Sequence, residues 1–73
     1  MISDHKKEYQ EIAVKLRAAR EECNLKQGRA AHNIDKSQSY ISKVESGAIF
    51  IGAVELNMLA KVYKKSVEYF FEM

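Results

Sequence analysis

No proline interrupts the 73 residues of this chain, and nowhere do β-branched residues alternate with polar ones over the length of a strand. Prolines punctuate turns and alternation marks half-buried strands, so their joint absence leaves helices as the only regular structure with support. Three glycines and no low-complexity tract give no support to flexible linkers either. The lone Cys23 excludes an internal disulfide, and His5 and His32 have no third ligand at a spacing suited to zinc. Without either staple, helix packing must hold so small a chain together. A composition 47% hydrophobic and 30% charged is that of a folded domain rather than a disordered tail. One domain over residues 1–73 is expected, with 1–7 frayed.

The helices can be placed by spacing and caps. Tyr9, Ile12, Leu16, Ala19 and Cys23 recur in steps of three and four, which sets them on one face of a first helix ending near Asn24, with Ser3 or Asp4 as its cap. A second, short helix is predicted from about Gln27 to Ile34. Asp35, Lys36 and Ser37 break the pattern, and Ser37 can cap a third helix from Gln38 to about Ser46. Gly47 then supplies the left-handed residue that closes it. In this third helix Ile41 and Val44 share the core face, which leaves Gln38, Ser39, Ser42 and Lys43 pointing elsewhere. A fourth helix over about Ala53 to Tyr63 buries Leu56, Leu59, Ala60 and Tyr63, and Ser66 can cap a short fifth one through Val67, Phe70 and Phe71.

A formal net charge of +2 is too small to indicate nucleic acid, but its distribution is uneven. Between Lys26 and Lys43 the chain carries Lys26, Arg29, Lys36 and Lys43 with His32 nearby, against the single acid Asp35. Two short helices joined by a three-residue turn, the second presenting amides and hydroxyls, match the requirements of a helix-turn-helix. Gln pairs with adenine in bidentate fashion, Lys reaches guanine acceptors, and Ser serves either sense of hydrogen bond.

At Leu25-Lys26-Gln27 through Ala31, and then at Ser37-Gln38-Ser39-Tyr40-Ile41-Ser42-Lys43-Val44-Glu45-Ser46-Gly47, the chain resembles the phage-repressor and Cro-like helix-turn-helix proteins, the XRE family. The resemblance spans about Ile12 to Phe71. It implies an all-α, five-helix, lambda-repressor-like domain in which helices two and three form the reading unit. It assigns base reading to Gln38, Ser39, Ser42 and Lys43. Gln27 inherits a phosphate contact and the bracing of the recognition helix, and Tyr40 a backbone contact; Lys26, Arg29 and Lys36 join them as candidate backbone contacts on their charge. Arg20 and Glu45 match a partly buried ion pair between the first and third helices, and Ala31 matches the small residue where helices two and three cross.

The chain also departs from the family. Lys26 stands at a usual Ser or Thr cap, Gly28 lies in the first turn of helix two at a cost of up to about 1 kcal/mol, and Asp35 replaces a turn glycine. Ala30 replaces a large aliphatic residue and leaves space for Tyr63 or Phe70. After Gly47, the apolar Ala48-Ile49-Phe50-Ile51 replaces a stretch that is generally basic or polar. Ile49, Phe50 and Ile51, with Tyr69, Phe70 or Phe71, are candidates for a homodimer or partner interface; the other expectation is that Phe50 and Ile51 fold inward beside Ala30.

These features point to sequence-specific binding of double-stranded DNA by a small transcription regulator, a repressor by default, on a palindromic operator. The alternative is a protein-interaction module, antitoxin-like or regulatory, docking through residues 49–51. No glycine-rich phosphate loop, paired-carboxylate site or triad supports an enzyme, and no cofactor, metal, membrane or small-molecule ligand is expected. The chain leaves no room for a separate sensing domain, so regulation is expected from occupancy, concentration or a partner, in the cytoplasm and at the nucleoid.

Overall fold

A computed structural model describes residues 5–72. It contains α1 (Lys6–Glu22), α2 (Gln27–Asn33), α3 (Gln38–Glu45), α4 (Ala53–Val62) and a closing 3-10 helix at Val67–Phe71, with no strand among the described residues. None of these helices is long and apolar enough to cross a membrane. The proposed caps Ser3 and Asp4 lie outside the described residues, and α1 is already helical at Lys6 and Lys7.

All four α-helices end by the same device. Asn24, Asp35, Gly47 and Lys64 take left-handed φ values of 57°, 59°, 82° and 61°. In each case the next residue donates its N–H back to the carbonyl five positions earlier: Leu25 to Arg20 at 3.2 Å, and Lys36 to Ala31, Ala48 to Lys43 and Lys65 to Ala60, all at 2.9 Å. These are Schellman closures, which satisfy orphan carbonyls of the last turn. Only Gly47 adopts that backbone without a steric penalty; Asn and Asp tolerate it, whereas Lys64 has no local compensation. At the other ends the caps are uneven. Ser37 Oγ accepts from the Tyr40 N–H at 3.1 Å, while Lys26, which has no side-chain acceptor, stands uncapped before α2. Helix α2 forms over seven residues despite Gly28, so tertiary packing rather than propensity sustains it.

Side chains from every element meet in one buried cluster that includes Leu16, Ala19, Ala30, Ala31, Ile41, Val44, Leu59, Tyr63 and Phe70. Each large apolar member contributes about 1.5–3 kcal/mol by leaving water. Ala30 and Ala31 are buried without bulk, and the fully buried rings of Tyr63 and Phe70 join the same cluster, so aromatic volume occupies the core that Ala30 leaves small. The fit has a polar cost: Tyr63 Oη is buried with no hydrogen-bond partner. Cys23 is half-buried and its Sγ donates to the Tyr63 carbonyl at 3.3 Å.

The closing helix is 3-10 rather than α, as suits a five-residue element. Three residues per turn bring Val67 and Phe70 to one side, where both pack on the core, and leave Phe71 53% exposed. The Lys15 ammonium fastens this element by donating to the carbonyl oxygens of Tyr69 and Glu72. Phe70 is therefore a core residue and corrects its assignment to an interface. Tyr69 is likewise occupied, half-buried, edge-on to Phe70 at 5.0 Å and overlain by Lys15 and Lys65.

Candidate nucleic-acid interface

Helix α3 owes its polar face to its burial pattern. Ile41 and Val44 are 1% and 3% exposed, and this anchors the helix so that Gln38, Ser39, Ser42 and Lys43 all face solvent. Residues four apart on a helix stand one above the other, so the pairs Gln38/Ser42 and Ser39/Lys43 form two adjoining columns. The result is one exposed strip of amide, hydroxyl and ammonium groups.

Behind this strip lies a network of charges. Arg20, on α1, donates from Nε to Glu45 Oε2 at 2.7 Å and from Nη2 to Glu45 Oε1 at 3.0 Å. Its Nη1 donates to the Leu25 carbonyl at 2.7 Å. Glu45 Oε1 also accepts from Gln27 Nε2 at 3.1 Å. One carboxylate thereby ties the end of α3 to α1 and to the first residue of α2, and the guanidinium holds the α1–α2 loop. The Arg20 pKa is raised, first by the hydrogen bond to Glu45 and against the opposing effect of burial. Gln27 thus braces α3 through Glu45, and its amide oxygen is not consumed by that bond.

Gln27 opens onto a cleft lined by Arg20, Asn24, Leu25, Lys26, Gly28, Arg29 and Gln38. Lys26 and Arg29 are exposed at its rim, beside the recognition strip. Asn24 was not among the residues expected there; its left-handed backbone at the end of α1 turns it into the cleft wall. On the other side of the turn, Lys36 and Tyr40 lie together, with Lys36 Nζ 5.2 Å from the ring centroid. The Tyr40 hydroxyl is held above its ordinary pKa, chiefly by burial and then by the charge of Glu55.

The apolar stretch after Gly47 divides. Ile51 turns inward and packs, half-buried, against the core. Ile49 and Phe50 remain 36% and 50% exposed, and the Phe50 ring stacks on Tyr9 with centroids 3.9 Å apart and planes 12° from parallel. Tyr9 falls at a core position by spacing, yet it sits at the edge of the helix face and is 38% exposed. Close by, His5, Glu8, Tyr9, Ile12 and Phe71 line a shallow depression. Of the residues expected at an interface, Ile49, Phe50 and Phe71 are exposed, Ile51 and Tyr69 are half-buried and Phe70 is buried.

The helix-turn-helix family profile matches residues 16–70, a span that runs from the α1 core through the recognition strip to Phe70. The chain belongs to the XRE-like helix-turn-helix family. Its ligand class is therefore double-stranded DNA, and it is a DNA-binding regulator of a family that is not typically enzymatic. Within this helix-turn-helix protein α2 and α3 are the paired helices, and the turn between them is closed by Asp35 and capped by Ser37. Comparison with curated proteins and with solved structures gave no match.

Proposed function

We propose that the protein is a sequence-specific transcriptional repressor that places α3 in the major groove of a palindromic operator and binds it as a symmetric homodimer. The observation that carries this reading is the exposed strip of Gln38, Ser39, Ser42 and Lys43 on a helix held from behind by the Arg20–Glu45–Gln27 network. A rigidly backed row of hydrogen-bonding groups suits base edges, and Gln27, Lys26, Arg29, Lys36 and Tyr40 around it suit backbone phosphates. Repression requires nothing beyond occupancy of a site that overlaps a promoter. The site of action is then the cytoplasm, at the nucleoid.

One α3 covers few base pairs, and helix-turn-helix proteins gain affinity by setting two such helices about 34 Å apart in successive major grooves. The exposed group of Ile49, Phe50, Phe71 and Tyr9 is the proposed dimer contact, because apolar side chains that meet neither core nor solvent favourably are offset by a partner. Selection from random duplex DNA tests the reading. Enrichment of a two-fold symmetric site supports it, and enrichment of no sequence overturns it. Against the selected site, Gln38→Ala and Ser42→Ala are expected each to lower discrimination by about 1–3 kcal/mol, whereas Lys26→Ala and Arg29→Ala should weaken all duplexes alike and make the log–log salt slope shallower by roughly one unit per lost contact. Docking of another protein on the same aromatic group is the second reading; it predicts a chain that stays monomeric in sedimentation, free and on DNA.

A further inference from the structure

Helix α4 begins with a carboxylate that reaches toward Lys36 in the turn between α2 and α3. Glu55 is the third residue of α4, where a negative charge is favoured by the amide dipoles of the first turn. Its carboxylate folds back over Gly52: a Cβ at that glycine would come within 2.5 Å of Glu55 Oε1, so the missing side chain is what lets the carboxylate lie there. The other oxygen, Oε2, is 3.9 Å from Lys36 Nζ. Both side chains remain partly open, 40% exposed at Lys36 and 29% at Glu55. Tyr40 completes the group by lying under the same ammonium.

We propose that Glu55 sets the strength of DNA binding by competing with a backbone phosphate for Lys36. The inference rests on the reading that Lys36 is a phosphate contact. The lysine ammonium is one compact positive charge, so turning it toward a phosphate weakens its attraction to the carboxylate. When a phosphate engages Lys36, the Glu55 carboxylate is left less neutralised near the polyanion. The loss is charged to the non-specific, phosphate-borne part of affinity and spares base reading, so the ratio of specific to non-specific binding is maintained while residence on bulk DNA is restrained. This fits the apolar Ala48-Ile49-Phe50-Ile51 stretch next to it, which offers no basic side chain to the backbone.

The test uses the full chain, a mixed-sequence duplex followed by fluorescence anisotropy over a series of salt concentrations, and circular dichroism to verify folding. Glu55→Gln is expected to tighten binding about three- to fivefold, the scale of an exposed ion pair, and to steepen the salt slope by up to about one unit. A purely structural role at the head of α4 would instead lower the melting temperature and leave the affinity of the folded protein unchanged. In a Lys36→Ala background the gain should disappear. If the gain persists there, general repulsion from DNA explains it and the competition is overturned. If Lys36→Ala weakens binding while Glu55→Gln does not strengthen it, the competition alone fails and the phosphate contact stands. If Lys36→Ala changes neither affinity nor slope, the phosphate contact itself is wrong and the inference falls with it.

Discussion

Helix α3 is fastened at two junctions of opposite character. Toward α1 and α2 it is held by Arg20, Glu45 and Gln27, with the ion pair's side chains only 10% and 5% exposed. Through the loop that follows α3 the connection is apolar, with Ile51 half-buried against the core and Phe50 stacked on Tyr9 of α1. A buried charge pair is directional: donors and acceptors must meet in one geometry or the charges are left desolvated without a partner. Apolar and aromatic contacts are graded and tolerate sliding. Helix α3 itself thus has the geometry-demanding fastening, and the loop that follows it has the permissive one.

The largest expected effect breaks the first junction. Arg20→Ala or Glu45→Ala alone should cost about 3–5 kcal/mol in urea unfolding, because each leaves the other charge buried and unpaired, while replacing both with apolar residues of similar size should cost much less. A double-mutant cycle with no coupling would show that the junction is not held by the pair. At the closing helix, Phe70→Ala should cost about 3–5 kcal/mol and its neighbour Phe71→Ala far less. At the permissive junction, Phe50→Glu should leave a folded, helical chain and weaken operator binding by abolishing self-association; loss of helicity would mean that the Tyr9 stack is structural after all.

A smaller effect concerns pH. Burial holds the Tyr63 phenol protonated in the folded chain, well above its ordinary pKa of 10.0, while the unfolded chain releases that proton near 10. The unfolded state therefore binds fewer protons above pH 10, and stability should fall as pH rises past that point. Tyr63→Phe removes this alkaline loss and an unpartnered hydroxyl, and should raise stability at neutral pH by about 1 kcal/mol. Measuring thermal melts of both proteins between neutral pH and pH about 10.5 would separate the two contributions. The smallest change is Lys64→Gly, expected to stabilise by up to about 1 kcal/mol through relief of the left-handed backbone, with no effect on DNA binding.

The contrast between the two junctions also explains what was legible in the sequence. Helix α3 could be delimited because Ser37 and Gly47 act within a few residues of themselves, and the Arg20–Glu45 pair was accessible through family resemblance. The apolar junction was not. Nothing local distinguishes Phe70 from Phe71 until the last element is known to be a 3-10 helix, whose three-residue turn selects Phe70 for the core along with Val67. Tyr9 fits the core stripe of α1 by spacing, and only its position near the end of that stripe leaves it free to stack on Phe50. The Lys36–Glu55 approach joins residues far apart in sequence, although a carboxylate at the third position of a helix following a glycine is a signal that the two could have been weighed together.

The four left-handed closures have a kinetic consequence. Each helix C-terminus is closed by a bond spanning six residues, as at Lys43 to Ala48, and Ser37 caps the start of α3, so the two ends of α3 are marked by residues close in sequence. Such local bonds exchange on the time of helix–coil relaxation, roughly 0.1–1 μs. Segments of seven and eight residues are marginal alone, so the closures mark where the helices end while docking around Leu16 and Tyr63 sustains them, and a chain dominated by such short-range structure is expected to fold within microseconds to milliseconds. After a transient opening the C-terminal end of α3 is therefore specified again by its own neighbours, and its register against α1 and α2 by the docking itself.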